Sequence, residues 1–561
     1  MCYFPSGKSN FKSIRTEKYV YVDKTKYIEK LENARKQSIH FLRPRRFGKS
    51  LFTSMLECYY DCAMSDEFDE LFQGTYIYNH PTVKHNRYYI LKFDFSGLNS
   101  SNLEELKAEF HNLVYRVCRK FIMKYELDIA LEKGTSAADC LSDFLDNVEI
   151  AIKDKSNNLG IYVIADEYDY FANELLSFDF NNYSEIISEN GYVRKFYEIL
   201  KKGTMGIVSQ IFITGVSPIT MDSMTSGFNI STNLTLDSDY NEMLGFSTEE
   251  MRQLISMVDS IKNPDEILHK MEQIYDGYLF AKDSEEHLYN PNMVLYYLDS
   301  YQKKHKEPDE LIDPNIYSDY KKIENLLNIK PRKEHSDALL HIITEGEISC
   351  RLTLSYNLQK DFSRDDFVSL LYYLGFLTIK GSSLDLIVFK APNDVTRTVY
   401  FEYFNEMLRQ NYQVYTQDYA EAVRQLLLDH KNDQLVACAE RTLATLDNRD
   451  FVSFNERIVK TILTSILTPT NFMLIKNEYP VEKGYIDLAL FPKNIIAPIM
   501  LIELKYIKKE DLSEQILQDK RKEAIDQLQN YHCAKEFEGE SVIKWILIFS
   551  KDKCVLNERV D

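Results

Sequence analysis

The sequence predicts an α/β chain of several domains with two separate sheets, and three observations carry that prediction. The apolar stretch Ser38-Ile39-His40-Phe41-Leu42 passes through Arg43-Pro44-Arg45-Arg46-Phe47-Gly48-Lys49-Ser50 into a helical stretch from Leu51 to Tyr60. A second apolar stretch, Ile161-Tyr162-Val163-Ile164-Ala165, runs into Asp166-Glu167. In the C-terminal quarter, apolar spacing alternates between helical and extended periods in the order α-β-β-β-α-β.

The first pattern reads as strand, phosphate-cradling loop and helix. Phosphates need backbone N–H groups converging at a helix N-terminus, a lysine for the β and γ oxygens, and a hydroxyl for Mg²⁺. Gly48, Lys49 and Ser50 supply these, with Arg46 and Phe47 completing the candidate nucleotide-binding loop. Arg43 stands where the Walker A pattern usually has its first glycine.

The second pattern fits a buried parallel strand ending at the carboxyl edge of its sheet, where ligands of open α/β sheets bind. There Asp166 would hold the Mg²⁺ shell together with Ser50, and Glu167 would polarise the attacking water. A further strand, Ile207 to Gly215, ends in polar residues. Thr214, or Ser217 just beyond it, is the candidate for sensing a γ-phosphate, as in P-loop ATPases with an additional strand. A Thr-Gly pair after a strand is also ordinary turn chemistry.

In the C-terminal pattern a helix over 455–467 precedes strands over 472–479, 484–491 and 497–506, a polar amphipathic helix over 511–531 and a last strand over 542–549. Alternation along the third strand puts Glu503 and Lys505 on one face and Leu504 on the other, and strand pairing can bring Asp487 to the same face. Two carboxylates and a lysine are costly in a core and useful as a site. The acids can bind one or two divalent ions, and the lysine can orient water or offset charge on a phosphate. A surface pair of Glu503 and Lys505 would explain the Glu-x-Lys spacing alone, at under about 1 kcal/mol.

These residues resemble the PD-(D/E)xK nuclease superfamily, an Asp followed after a hairpin by Glu-x-Lys. The resemblance implies Asp487, Glu503 and Lys505 as catalytic residues, with Asp487 and Glu503 as metal ligands. It adds Glu456 on the preceding helix and points to Gln527 on the following one. Ile486 stands where the family name has proline.

The whole chain resembles a bacterial family of AAA-like ATPases fused to such a nuclease-like domain. Tyr21-Val22-Asp23-Lys24-Thr25, Tyr275-Asp276-Gly277-Tyr278, Tyr289-Asn290-Pro291 and Leu370–Leu377 join the motifs above in carrying that likeness. The resemblance implies an AAA-like P-loop ATPase domain over 1–246 with a helical lid over 247–345. A winged-helix-like and helical connector over 346–435 and a restriction-endonuclease-like domain over 436–561 follow. It implies ATP and Mg²⁺ as cofactors, Mg²⁺ or Mn²⁺ at the nuclease site, and DNA ahead of RNA as the nucleic-acid partner. A homo-oligomeric ring follows only by analogy with AAA proteins.

Composition agrees with this layout. The 561 residues, 44% of them hydrophobic, suffice for about three or four packed domains. Nine cysteines without Cys-x-x-Cys spacing read as reduced thiols, and Cys58 and Cys62 have no nearby His to complete a zinc set. No secretory leader and no apolar run approaching about 20 residues is visible, so a soluble cytoplasmic protein without membrane contact is expected. The formal charge of −19 excludes a uniformly basic nucleic-acid-binding surface. Residues 1–50 nevertheless hold 13 Lys or Arg against 4 Asp or Glu, and Lys508, Lys509, Lys520, Arg521 and Lys522 follow the Glu-x-Lys strand. Such residues can track a phosphate backbone, although charge runs are commonly just solvated faces.

Between the sites, Thr248-Glu249-Glu250-Met251 reads as a capping-box-like helix start. Phe367–Leu374 leads through Gly375 into a strand over 376–379, a turn at Gly381-Ser382-Ser383 and a strand over 384–389. The expected function is an ATP-dependent or ATP-regulated nuclease. The alternative is a nucleotide-dependent switch or scaffold whose nuclease-like domain binds nucleic acid or a protein without cleaving.

Overall fold

The computed structural model describes residues 3–560 apart from 99–102, 154–158, 171–190, 220–227, 309, 312–331, 357–361, 413, 415, 448–454, 469–471, 482–483, 494–495, 532–536 and 538. Residues 312–331 of the expected lid therefore lie outside the described residues. The chain divides into two compact units, Met1–Ala338 with Ile348–Val395, and Leu339–Glu347 with Thr396–Asp561.

The first unit is built on a five-stranded parallel sheet. β1 (Ser38–Leu42), β2 (Tyr88–Asp94), β3 (Gly160–Asp166), β4 (Val208–Gly215) and β5 (Ser231–Asn233) lie in the order β2-β3-β4-β1-β5. β1 is buried at every position and β3 at all but its first, as expected for parallel strands covered on both faces. β4 lies between β1 and β3, so all three motif-bearing strands end side by side at one sheet edge. The helix Lys49–Tyr60 packs Phe52, Met55, Leu56 and Tyr59 into a core shared with Ile39, Phe41, Ile164 and Phe212.

Beyond the sheet come helices Thr248–Ser256, Pro264–Tyr275 and Pro291–Lys304. The capping box is closed one residue earlier than the sequence suggests. Ser247 is the N-cap, accepting from the Glu250 amide while the Glu250 carboxylate accepts from the Ser247 amide. Two proline-led helices follow, proline at N1 costing no hydrogen bond because that N–H has no helical partner.

A three-stranded sheet in the order β6-β8-β7 follows, comprising β6 (Glu347–Cys350), β7 (Thr378–Ser383) and β8 (Leu386–Lys390), with helix Arg364–Tyr373 between β6 and β7 in the chain. Its hairpin turns later than the Gly381-Ser382-Ser383 reading places it. A register shift between Ile379 and Gly381 absorbs one residue, Ser382 and Ser383 pair with Ile387 and Leu386, and the fully exposed Leu384 turns the chain with a φ of 56°.

The second unit carries a mixed sheet in the order β13-β12-β11-β10-β9, made of β9 (Met473–Val481), β10 (Gly484–Pro492), β11 (Ile499–Tyr506), β12 (Val542–Ser550) and β13 (Lys553–Val560). β11 and β12 are parallel and the other neighbours antiparallel. One face packs Leu488, Leu490, Ile502 and Leu504 against helix Glu456–Leu467 and the helical segments before it. The other packs Ile486, Ala489, Leu501 and Ile546 with Ala524 and Leu528 of helix Glu514–Tyr531.

Candidate functional site

At the N-terminal site, β1 delivers the chain into a loop built by unusual backbone and buried charge. Gly48 has a φ of 93°, which only glycine tolerates without strain, and Arg46 has a φ of 69°. A left-handed non-glycine residue costs about 1–2 kcal/mol, and such residues concentrate where a loop must present its backbone to a ligand. Arg43 is almost wholly buried. Its guanidinium donates to the carbonyls of Leu42 and Thr235 at 2.9 Å and of Tyr240 and Asn241 at 3.2 Å, between the rings of Phe41 and Phe280. Arg43 therefore ties the loop to residues 235–241. Phe47 seats edge-on against Tyr278 and Phe280.

Lys49 donates to the Pro44 carbonyl at 3.2 Å, and its ammonium lies 3.5 Å from a Glu167 oxygen. Asp166 Oδ2 accepts from the Thr53 hydroxyl at 3.1 Å, and the Ser50 side chain acts on the same carboxylate, favouring its charged form. Burial raises the Asp166 carboxyl above its ordinary range, and the neighbouring Glu167 charge adds to the effect. Asp166 Oδ1 is buried without a hydrogen-bond partner. A partnerless buried carboxylate oxygen beside a hydroxyl suits a hard divalent cation.

A cavity of about 620 Å³ opens over this cluster, within the range of small-molecule sites. Arg45, Arg46, Phe47, Gly48, Lys49, Ser50 and Glu167 line it, as do Val20–Val22 and Phe246. Thr214 is buried and donates its hydroxyl to the Phe41 carbonyl at 2.8 Å. Ser217 donates to Asp169, so both sensor candidates already hold bonds inside the fold. Asp94, which no motif marks, ends β2 beside Asp166 and lines the cavity. Lys24 lines it as well and pairs with Glu250 at 2.6 Å.

The second unit brings Glu456, Asp487, Glu503 and Lys505 into one electrostatic cluster. β10 and β11 pair at Leu488↔Ile502, Ala489↔Leu501 and Leu490↔Met500. At the next position Asp487 Oδ2 accepts the Leu504 amide at 2.9 Å, a side chain bonding where a backbone carbonyl ordinarily would. Glu503 is buried, with Oε1 accepting from Lys505 Nζ at 2.7 Å. Burial and the Asp487 charge push the Glu503 carboxyl up to about 7. Burial also raises Glu456, Asp487 again contributing. Burial works against the Lys505 ammonium, but the Glu503 charge and hydrogen bond outweigh it and hold its pKa above the ordinary value.

Glu503 Oε2 is buried without a hydrogen-bond partner, as is Gln527 Oε1 on the helix that follows. Among the described residues no three His, Cys, Asp or Glu side chains form a ready-made metal cage. Two carboxylates are nonetheless a usual protein share for Mg²⁺, which keeps several waters and completes its shell with phosphate oxygens. The residues present fit such an ion.

Lys460, which the sequence reading passed over, also belongs to this cluster. Its ammonium lies 3.0 Å from Glu478 Oε1 and 3.2 Å from Asp487 Oδ1. The available signal was a lysine one helical turn from Glu456 within a buried stretch, Val459 to Leu467. Of the downstream basic residues, Arg521 pairs with Glu558 and Lys520 with Glu523, whereas Lys508, Lys509 and Lys522 are exposed.

Comparison with known proteins finds a family match in two segments of the chain. Residues 5–225 match the family described as predicted AAA-ATPase, and residues 454–559 match the PD-(D/E)XK nuclease superfamily. The chain thus joins an AAA-ATPase-like domain to a C-terminal PD-(D/E)XK nuclease-superfamily domain. A relative from Azotobacter chroococcum mcd 1, described as an uncharacterized protein in the vnfD 5' region, is 25% identical over 295 residues. The match covers 52% of this chain, which spans about half (51%) of that relative's length. Among the described residues no helix is long and apolar enough to cross a membrane.

Proposed function

We propose that the chain hydrolyses ATP at the N-terminal site and cleaves nucleic-acid phosphodiesters, DNA first among them, at the C-terminal site under ATP control. The observation that carries the reading is the buried Asp487, Glu503, Lys505 set with its partnerless Glu503 oxygen. A structural ion pair would satisfy its own oxygens, whereas a metal ligand retains one for its ion.

In this reading the backbone N–H groups ending at Gly48 and the Lys49 ammonium hold the phosphates, with Arg46 and Phe47 shaping the loop. Ser50 and Asp166 hold Mg²⁺, which offsets phosphate charge when bound. Glu167 orients the attacking water, and Thr214 reports the γ-phosphate through the carbonyl of β1 that it holds. At the second site Asp487 and Glu503 are the ligands for Mg²⁺ or Mn²⁺. Lys505 orients water and opposes charge on the phosphate, and Glu456 accepts a proton or a water hydrogen bond at the rim. The domain limits near residues 246, 345 and 435 and a homo-oligomeric ring remain part of the same proposal.

The test is cleavage of plasmid DNA, single-stranded DNA and RNA with Mg²⁺ or Mn²⁺, with and without ATP. Loss of cutting in Lys505→Ala, and of its ATP dependence in Lys49→Ala, is the expected result. ATP hydrolysis without cleavage of any substrate would favour a nucleotide-dependent switch or scaffold that binds its partner uncut.

A further inference from the structure

Lys460 sits where the chemistry of the C-terminal cluster places a cation. The helix Glu456–Leu467 is apolar on its sheet-facing side, and Lys460 is buried there among Val459, Ile462 and Leu463. Burying an ammonium is costly unless opposite charges meet it. Asp487 Oδ1 at 3.2 Å and Glu478 Oε1 at 3.0 Å bracket it from two strands. Glu478 reaches this position through a left-handed backbone with a φ of 52°, at the point where β9 passes from Tyr479↔Ile486 to Asn477↔Leu488. A strained non-glycine residue kept in a strand is a feature that its surroundings enforce.

The two oxygens of Asp487 are therefore committed differently. Oδ2 accepts the Leu504 amide, and Oδ1 faces the ammonium. In two-metal phosphodiesterase sites, ions about 3.5–4 Å apart share a bridging carboxylate. A second ion bridged through Asp487 would have to share Oδ1 with a fixed positive charge.

We infer that Lys460 substitutes for a second metal ion, so that the Asp487–Glu503 site takes one divalent cation. The ammonium supplies permanent positive charge against Asp487 and Glu478, and Glu503 Oε2 supplies the free ligand oxygen for the single ion. The inference rests on reading this cluster as a metal site.

Full-length protein without nucleotide is titrated with Mn²⁺, and free Mn²⁺ is followed by electron paramagnetic resonance. Ions of the site are those lost when Asp487→Asn and Glu503→Gln are introduced together. One ion in the wild type and in Lys460→Arg, which keeps the charge, and two in Lys460→Met are the expected result. Lys460→Gln repeats the measurement with a polar side chain, and circular dichroism identifies any variant that fails to fold. Two ions in the wild type, or a single ion in every folded neutral variant, overturn the inference. If the double variant loses no ion, the metal-site reading itself fails and the inference falls with it.

Discussion

Asp487 accepts the Leu504 backbone amide at 2.9 Å, where the two strands that carry the candidate ligands leave off pairing with one another. One carboxylate thus completes the sheet and faces the cluster at once. Asp487→Ala should strand the amide and leave the Lys460 ammonium with Glu478 alone, and an unsatisfied buried donor costs about 1–3 kcal/mol. Asp487→Asn keeps an acceptor and should lose less. Urea unfolding followed by fluorescence of Trp545, the sole tryptophan and a member of this core, separates the two. Both variants should lose Mn²⁺ binding, so equal unfolding with unequal metal loss would refute the dual role.

Arg43 shows why the N-terminal loop does without its usual first glycine. Four backbone carbonyls and two aromatic rings surround the guanidinium. Lysine keeps the charge but not the planar fork that reaches several carbonyls together. Arg43→Lys should therefore destabilise the first unit by roughly 3 kcal/mol, the scale for breaking a buried charged network. It should also weaken binding of a fluorescent ATP analogue. Arg43→Gly, which restores the common Walker letter, should do worse on both counts. Wild-type binding and melting in Arg43→Gly would show that the loop needs no such anchor.

The end of β4 is held by Asp169. Its carboxylate accepts from the amides of Val216 and Ser217 and from the Ser217 hydroxyl. A Cβ on Gly215 would lie 2.2 Å from Asp169 Oδ1 and 2.5 Å from the Tyr168 ring. Gly215→Ala must push the Asp166–Asp169 turn away from the strand bearing Thr214, with an overpacking cost of about 1–3 kcal/mol. Thermal melting should show that loss. Steady-state kinetics should show a lower kcat for ATP with a smaller change in KM, since Glu167 lies in the displaced turn. Unchanged kcat would remove this clamp from the proposed ATPase machinery.

What the sequence displays best is continuous burial. β1, β3 and β4 read directly because strands covered on both faces are unbroken apolar runs, and the α-β-β-β-α-β order reads from its changes of period. β13 was not foreseen because Lys553–Val560 is an edge strand of mixed exposure, with polar Asn557, Glu558 and Arg559 together. β2 is nearly as continuously buried as β1 but runs into no motif, and only its pairing with β3, far along the chain, sets Asp94 beside Asp166. Lys460 is the harder case. Spacing shows which side of a helix is apolar, but not that a lysine on it meets carboxylates from two strands. The bonds from Arg43 to residues 235–241 are likewise made by folding across nearly two hundred positions. No local pattern encodes them.

His40 supplies a pH dependence away from both sets of candidate ligands. It lies in β1 with Nδ1 3.2 Å from the Ser231 hydroxyl, and burial pushes its pKa down to about 4. In the unfolded chain an imidazole takes a proton near pH 6.5. Above that pH neither state is protonated, and the first unit has its full stability from this group. As pH falls through about 6.5 toward 4, the unfolded state gains a proton that the folded state refuses, so stability is lost. Each tenfold difference in protonation corresponds to about 1.4 kcal/mol, giving a total loss of roughly 3 kcal/mol. Hydrogen exchange of the Ser38–Leu42 amides, corrected for the intrinsic pH dependence of exchange, should show protection falling across that window. His40→Gln, which cannot titrate, should flatten the fall. An equally steep fall in His40→Gln would assign the acid sensitivity to other groups.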